Sequence, residues 1–123
     1  MDDCLFCRIV RGEIPARKVY EDAGLLAFHD IHPARPVHLL LIPKKHITSL
    51  ATATDNDSDV LGRLMVIANR LACEQGSPDG FRLIINTGRI GHQEVPHLHA
   101  HIVGGPDPVG PMLKRVSPPA AAA

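Results

Sequence analysis

Histidine alternates with an apolar residue in His97-Leu98-His99-Ala100-His101-Ile102. On an extended strand this spacing sends the three imidazoles to one face and turns Leu98, Ala100 and Ile102 toward a core. A rise of ~3.3 Å per residue sets neighbouring histidine Cα atoms about 7 Å apart, so one metal ion can take two of them and hardly three. The three rings are therefore expected to divide their labour among the tasks imidazole performs near neutral pH: nucleophile, proton carrier and metal ligand. With Gly88, Gly91, Gly104 and Gly105 alongside, three histidines in register read as a site, whereas His32, His38 and His92 read singly as satisfied polar side chains. Asp30, in Phe28-His29-Asp30-Ile31, is a second chemical candidate, because a carboxylate ending an apolar strand is costly to bury unless it meets donors. Cys4 and Cys7 have the spacing of a zinc knuckle, the alternative being two free thiols on a short helix.

Simple elements must position these groups. Leu5, Phe6, Ile9 and Val10 have helical spacing within a first helix from Asp3 to Gly12, which Gly12 and Pro15 stop. Residues 18–21, 25–31 and 38–43 are short and rich in β-formers, separated by the turns Asp22-Ala23-Gly24 and His32-Pro33-Ala34-Arg35-Pro36. Val60, Leu61, Leu64, Ile67, Ala68 and Leu71 give the periodicity of a main helix over 58–75, with Asp55, Asp57 and Asp59 at its positive end and Gly76 and Pro78 after it. Residues 81–86 and 97–103 supply two more strands, and Cys73 is expected in the core. The sum is an α+β domain over residues 1–116 with a loose tail over 117–123.

Composition narrows the function. At 123 residues the chain has room for one core, and 45% apolar against 21% charged residues is a globular balance. Thirteen basic residues offset 13 acidic ones, so the basic excess of a nucleic-acid binder is absent. No apolar run approaches the ~20 residues of a membrane span, and Met1-Asp2-Asp3 is acidic where a signal peptide would be basic. Three cysteines cannot all pair internally, so a reducing, cytoplasmic setting is expected, with neither nucleic acid nor membrane as partner.

The triad, together with Cys4-Leu5-Phe6-Cys7-Arg8-Ile9-Val10-Arg11-Gly12-Glu13-Ile14-Pro15, Ala27-Phe28-His29-Asp30-Ile31, Ile42-Pro43-Lys44-Lys45-His46-Ile47 and Gly91-His92-Gln93-Glu94-Val95, resembles the histidine-triad family, and within it the Hint branch. The resemblance spans roughly residues 4 to 115. It implies a five-stranded antiparallel sheet with two helices, continued across a homodimer, and hydrolysis of purine nucleoside 5′-phosphoramidates, with AMP or GMP as product. His99 matches the nucleophile that carries the nucleotidyl group. His101, Gln93 and Asn86 match groups on the phosphate, and Glu94 falls near the leaving group, where many relatives carry Ser or Thr. Phe6, Ile9, Ile14, Phe28, His29 and Ile31 match the purine pocket, and Asp30 the carboxylate on the ribose hydroxyls. Cys4, Cys7, His46 and His97 match a structural zinc site; no organic cofactor is implied. Three residues depart from the pattern: Pro96 where an aromatic is common, His92 for a frequent glycine, and Pro106 for a frequent arginine. Two other readings stand beside this one, a dinucleoside polyphosphate hydrolase and a non-catalytic nucleotide-binding or zinc-stabilised interaction module. A uridylyltransferase is disfavoured because the third triad position is His101 and not glutamine, and a DNA-repair relative because the neutral chain lacks a basic segment.

Overall fold

The computed structural model describes residues 3–111 and 113, so the tail expected over 117–123 lies outside the described residues. The element order is α1 (Leu5–Val10), β1 (Lys18–Glu21), β2 (Leu25–His29), β3 (Val37–Pro43), a 3₁₀ turn (Asp55–Asp57), α2 (Ser58–Glu74), β4 (Arg82–Ile85) and β5 (Ala100–Gly104). The strands form one antiparallel sheet in the order β1-β2-β3-β5-β4. Fold class and strand number thus agree with the sequence expectation.

Alternation assigns the two sheet faces. Leu25 and Ala27 of β2, Val37, Leu39 and Leu41 of β3, and Ala100 and Ile102 of β5 pack with Leu64, Ile67, Ala68, Leu71 and Ala72 of α2. On the opposite face Leu26, Phe28, Leu40 and Ile42 pack with Phe6 and Ile9 of α1. Because β2 and β3 are covered on both faces, they read as nearly unbroken apolar runs. The α2 face explains one correction: Cys73 is exposed, not core. It lies nine residues past buried Leu64, roughly 180° around a helix of 3.6 residues per turn.

Two strands differ from their apolar patterns, β2 by ending earlier and β5 by starting later. β2 stops at His29, leaving Ile31 85% exposed. β5 begins at Ala100, so His97 and His99 precede the strand. The pairing Leu41↔Ala100 would next bring Pro43 opposite Leu98, and proline has no N–H to donate to a ladder. The backbone turns instead: His97 N–H bonds the carbonyl of Val95 and Leu98 N–H that of Ile47.

Candidate active site and metal centre

The β-strand face opposite α2 carries the chemistry. Pairing sets Ile84 of β4 and Leu40 of β3 beside His101, and Arg82 and His38 beside Val103. Over this face opens a cavity of ≈ 360 Å³. Leu5, Phe6 and Ile9 of α1, Ile14, Phe28, His29, Asp30 and Ile31 line its apolar end, while Asn86, His92, Glu94, His99 and His101 line the other. The structure therefore gathers most of the predicted site residues around one cavity. His97 and Gln93 are not in its wall.

His99 is 4% exposed and held between Phe6 and His101, with ring centroids 5.1 Å from each. Its Nδ1 lies 2.8 Å from the carbonyl oxygen of His97. A carbonyl only accepts, so Nδ1 bears the hydrogen and Nε2 keeps a lone pair. That is the tautomer a nucleophilic imidazole needs.

His101 is set by a longer relay. Ala34 N–H donates to His38 Nδ1 at 2.9 Å, which leaves the proton of neutral His38 on Nε2. That nitrogen is 2.9 Å from His101 Nδ1 and 3.4 Å from an Asp30 carboxylate oxygen. Accepting the hydrogen bond from His38 Nε2–H at Nδ1, neutral His101 carries its own hydrogen on Nε2 and presents it as a donor. Burial pushes the His101 imidazole below its usual pKa and the His99 and His38 rings add to this, while Asp30 and Glu94 oppose it. His38 is thus satisfied at both nitrogens, as expected of a lone polar residue, yet its second partner makes it part of the site. The argument applied to Asp30 would have found it, since His38 is likewise a polar residue in an apolar strand.

The loop before the triad is shaped by its backbone. A Cβ on Gly91 would sit 2.5 Å from the carbonyl oxygen of Thr87, so only glycine fits there, and His92 follows with φ 60. Gln93 accepts from Gly88 N–H through Oε1 and donates through Nε2 to the carbonyls of Thr48 and Val95. Its amide ties the loop to the segment that follows β3 through the Thr48 carbonyl. Glu94 reaches the cavity wall with its carboxylate 3.2 Å from the His92 ring. On the apolar side, burial lowers the pKa of His29, helped by Arg17, and Asp30 caps its own turn by accepting from His32 N–H at 2.8 Å.

His97 is fully buried, its ring edge-on to Phe6 with centroids 5.9 Å apart. Its Nε2–H donates to the Pro43 carbonyl at 2.8 Å, so Nδ1 is left as a lone pair, 3.3 Å from Cys4 Sγ and 3.5 Å from Cys7 Sγ. His46 Nδ1 is 3.2 Å from Cys7 Sγ, and its other nitrogen meets the Thr48 hydroxyl. All four ligand atoms lie within 4.8 Å of one another. Bonds of ~2.3 Å to sulfur and ~2.0 Å to nitrogen around one tetrahedral ion require ligand spacings of this size. The donor set therefore fits zinc, with the carbonyl of Pro43 orienting one ligand ring from behind. Burial and the neighbouring Cys4 thiol raise the Cys7 pKa, and a bound metal would reverse that preference. A second group of possible ligands, Asp30, His38 and His101, belongs to the relay described above.

Among the described residues no helix is long and apolar enough to cross a membrane. A family profile described as "HIT domain" matches residues 11–107. The chain is 52% identical over 106 residues to Protein HitA of Neisseria gonorrhoeae, covering 86% of this chain and 99% of that protein. Among solved structures, a HIT family hydrolase from Legionella pneumophila superposes with TM-score 0.81 at 47% identity, over 85% of this chain and 95% of that one. A zinc-bound histidine triad family protein from Mycobacterium smegmatis superposes with TM-score 0.74 at 34% identity, over 85% of this chain and 76% of that one.

Proposed function

The chain belongs to the HIT domain family, and from that premise we propose that it hydrolyses purine nucleoside 5′-phosphoramidates through a nucleotide covalently held on His99. The observation that carries this reading is the 2.8 Å bond from His99 Nδ1 to the His97 carbonyl, which leaves Nε2 unprotonated in the cavity wall. The purine lies among Phe6, Ile9, Ile14, Phe28 and Ile31 beside His29, and the ribose hydroxyls donate to Asp30. His99 Nε2 attacks the phosphorus, forming a P–N bond to the ring as the P–N bond to the amine breaks. His101 Nε2–H and Asn86 stabilise the charge on the phosphate oxygens. Glu94 delivers the proton the departing amine needs, since an amine anion is a poor leaving group. Water then attacks the phosphorus and gives a proton to the Glu94 carboxylate as the P–N bond to His99 breaks, which releases AMP or GMP, restores the neutral ring and reprotonates Glu94.

Zinc held by Cys4, Cys7, His46 and His97 has a structural role in this reading, because four protein ligands leave no open position. It ties α1, which covers the purine end of the cavity, to the loop that begins the triad. The chain acts as a homodimer whose sheet continues from one β4 to the other. The support is that β4 ends the sheet with every residue only half-buried and a single charge, Arg82, in Arg82-Leu83-Ile84-Ile85.

Rapid quench of adenosine and guanosine phosphoramidates, with mass spectrometry of the protein, tests the chemistry. The expected result is a nucleotidyl adduct on the peptide containing His99 and, in His99→Ala, a kcat lower by roughly three or more orders of magnitude with nucleotide affinity retained. Retention of a few per cent of wild-type kcat would remove His99 as nucleophile. Faster cleavage of diadenosine polyphosphates than of phosphoramidates would favour the polyphosphate hydrolase instead.

A further inference from the structure

We propose that His92 positions the Glu94 carboxyl for proton delivery and so sets how strongly the site discriminates among leaving amines. The proposal deepens the phosphoramidase reading, on which it rests, by adding a residue that acts through the acid. Among the described residues His92 is the only one other than glycine with a positive φ. A side chain in that region brings Cβ against the carbonyl that follows, a clash that glycine avoids. The turn imposes the conformation: Gly91 N–H bonds the Thr87 carbonyl at 3.2 Å, His92 N–H that of Arg89 at 3.1 Å and Gln93 N–H that of Gly88 at 3.0 Å. Packing offsets little of the strain, because the His92 side chain is 86% exposed. Its contact with Glu94, itself 76% exposed, is too open to water to add much to folding. The fold therefore gains little from histidine at this position, and strain that the fold does not need marks a functional group.

His92 and Glu94 both line the nucleoside cavity, at the end that holds His99 and His101. His92 Nε2 lies 3.2 Å from Glu94 Oε1. An ionised carboxylate only accepts, so a neutral His92 presents Nε2–H to it. A nucleotide in the cavity displaces water from around the pair, and the contact strengthens as the local dielectric falls. When Glu94 gives its proton to the amine nitrogen and the P–N bond to the amine breaks, negative charge appears on the carboxylate and the bond from His92 becomes charge-assisted. His92 keeps its own proton throughout, and water returns one to Glu94 in the second step. The support grows with the charge left on Glu94, so it counts most for amines that leave only with full proton transfer.

Steady-state rates of the full chain on matched series of alkylamine and aryl amine adenosine 5′-phosphoramidates test the assignment. His92→Gly, which removes the ring and suits the backbone, should lower the alkyl-to-aryl ratio of kcat about fivefold, with KM changed far less, as loss of one bond to a charged group predicts. Its Tm should not fall, which separates the loss from a folding defect. His92→Gln, as strained as histidine but with an N–H donor, should recover part of the ratio. A backbone or packing role predicts another order, with glycine at least equal to wild type and glutamine no better than glycine. Added to Glu94→Gln, His92→Gly should change the ratio by less than about twofold, because the partner it acts through is already gone. A ratio within about twofold of wild type in His92→Gly alone would overturn the positioning role, and so would an undiminished fall in the Glu94→Gln background. Cleavage of neither series by the wild-type protein would overturn the phosphoramidase reading and this inference with it.

Discussion

His38 Nε2 lies 2.9 Å from His101 Nδ1, and the Ala34 N–H on the far side of the His38 ring fixes which of the two carries the proton. A residue that need not touch substrate thereby sets the tautomer of one that does. His38→Phe removes both ring nitrogens, freeing His101 Nδ1 to take the proton and withdraw the donor from the cavity. The expected effect is a drop in kcat of roughly 10- to 100-fold with KM changed far less, because the lost bond strengthens as charge develops on the phosphate. His38→Gln, which retains a donor and an acceptor, should recover part of the loss. An equal fall in kcat for both variants would assign His38 a packing role only.

Metal analysis of protein prepared without chelators should find about one zinc per chain, and none in Cys4→Ser/Cys7→Ser. Chelation should lower Tm by several degrees while kcat measured well below the new Tm changes little, since His99 is held by the His97 backbone carbonyl and not by the His97 ring that would bind the metal. Absence of zinc would leave Cys4, Cys7, His46 and His97 as a hydrogen-bonded cluster. A loss of kcat out of proportion to stability would give the metal a catalytic role.

Glu94→Gln separates proton delivery from substrate positioning. The variant should slow phosphoramidates of alkylamines more than those of aryl amines, whose nitrogen leaves with less help. An effect of equal size on both series would leave the leaving-group proton without a donor at this position.

Burial holds the His29 and His101 imidazoles below their ordinary pKa. Below the usual imidazole range of ~6.5, the unfolded chain therefore binds protons that the folded chain refuses. Stability is complete above that range and falls as pH drops through it toward the depressed folded values. Melting at constant ionic strength should show Tm decreasing from pH 7.5 to 5.5, with a shallower slope in His29→Gln. A Tm independent of pH across that interval, or an unchanged slope in the variant, would contradict the assignment of cause.

Periodicity in the sequence was enough to determine the α2 face and to set the triad imidazoles on one side with Leu98, Ala100 and Ile102 on the other, because each depends on which side of the chain a residue leaves; that Asp30 belongs with them followed from the family resemblance. The exposure of Cys73 was within reach of the same logic, half a turn from Leu64. Other outcomes depended on contacts between residues distant in the chain. Pro43 ends the β3–β5 ladder and its carbonyl accepts a hydrogen bond from the His97 ring, so the first histidine of an even-looking triad turns its other nitrogen to Cys4 and Cys7 while the others face the cavity. Gln93 is engaged by the Thr48 carbonyl, and His38 by Ala34 and His101. The protonated nitrogen of each ring follows from whether its partner is a carbonyl, an N–H or another ring, and spacing along the sequence carries no record of that partner. Only the tertiary structure, by bringing residues 34, 38, 43 and 97–101 together, decided which histidine can attack, which can donate and which can hold a metal.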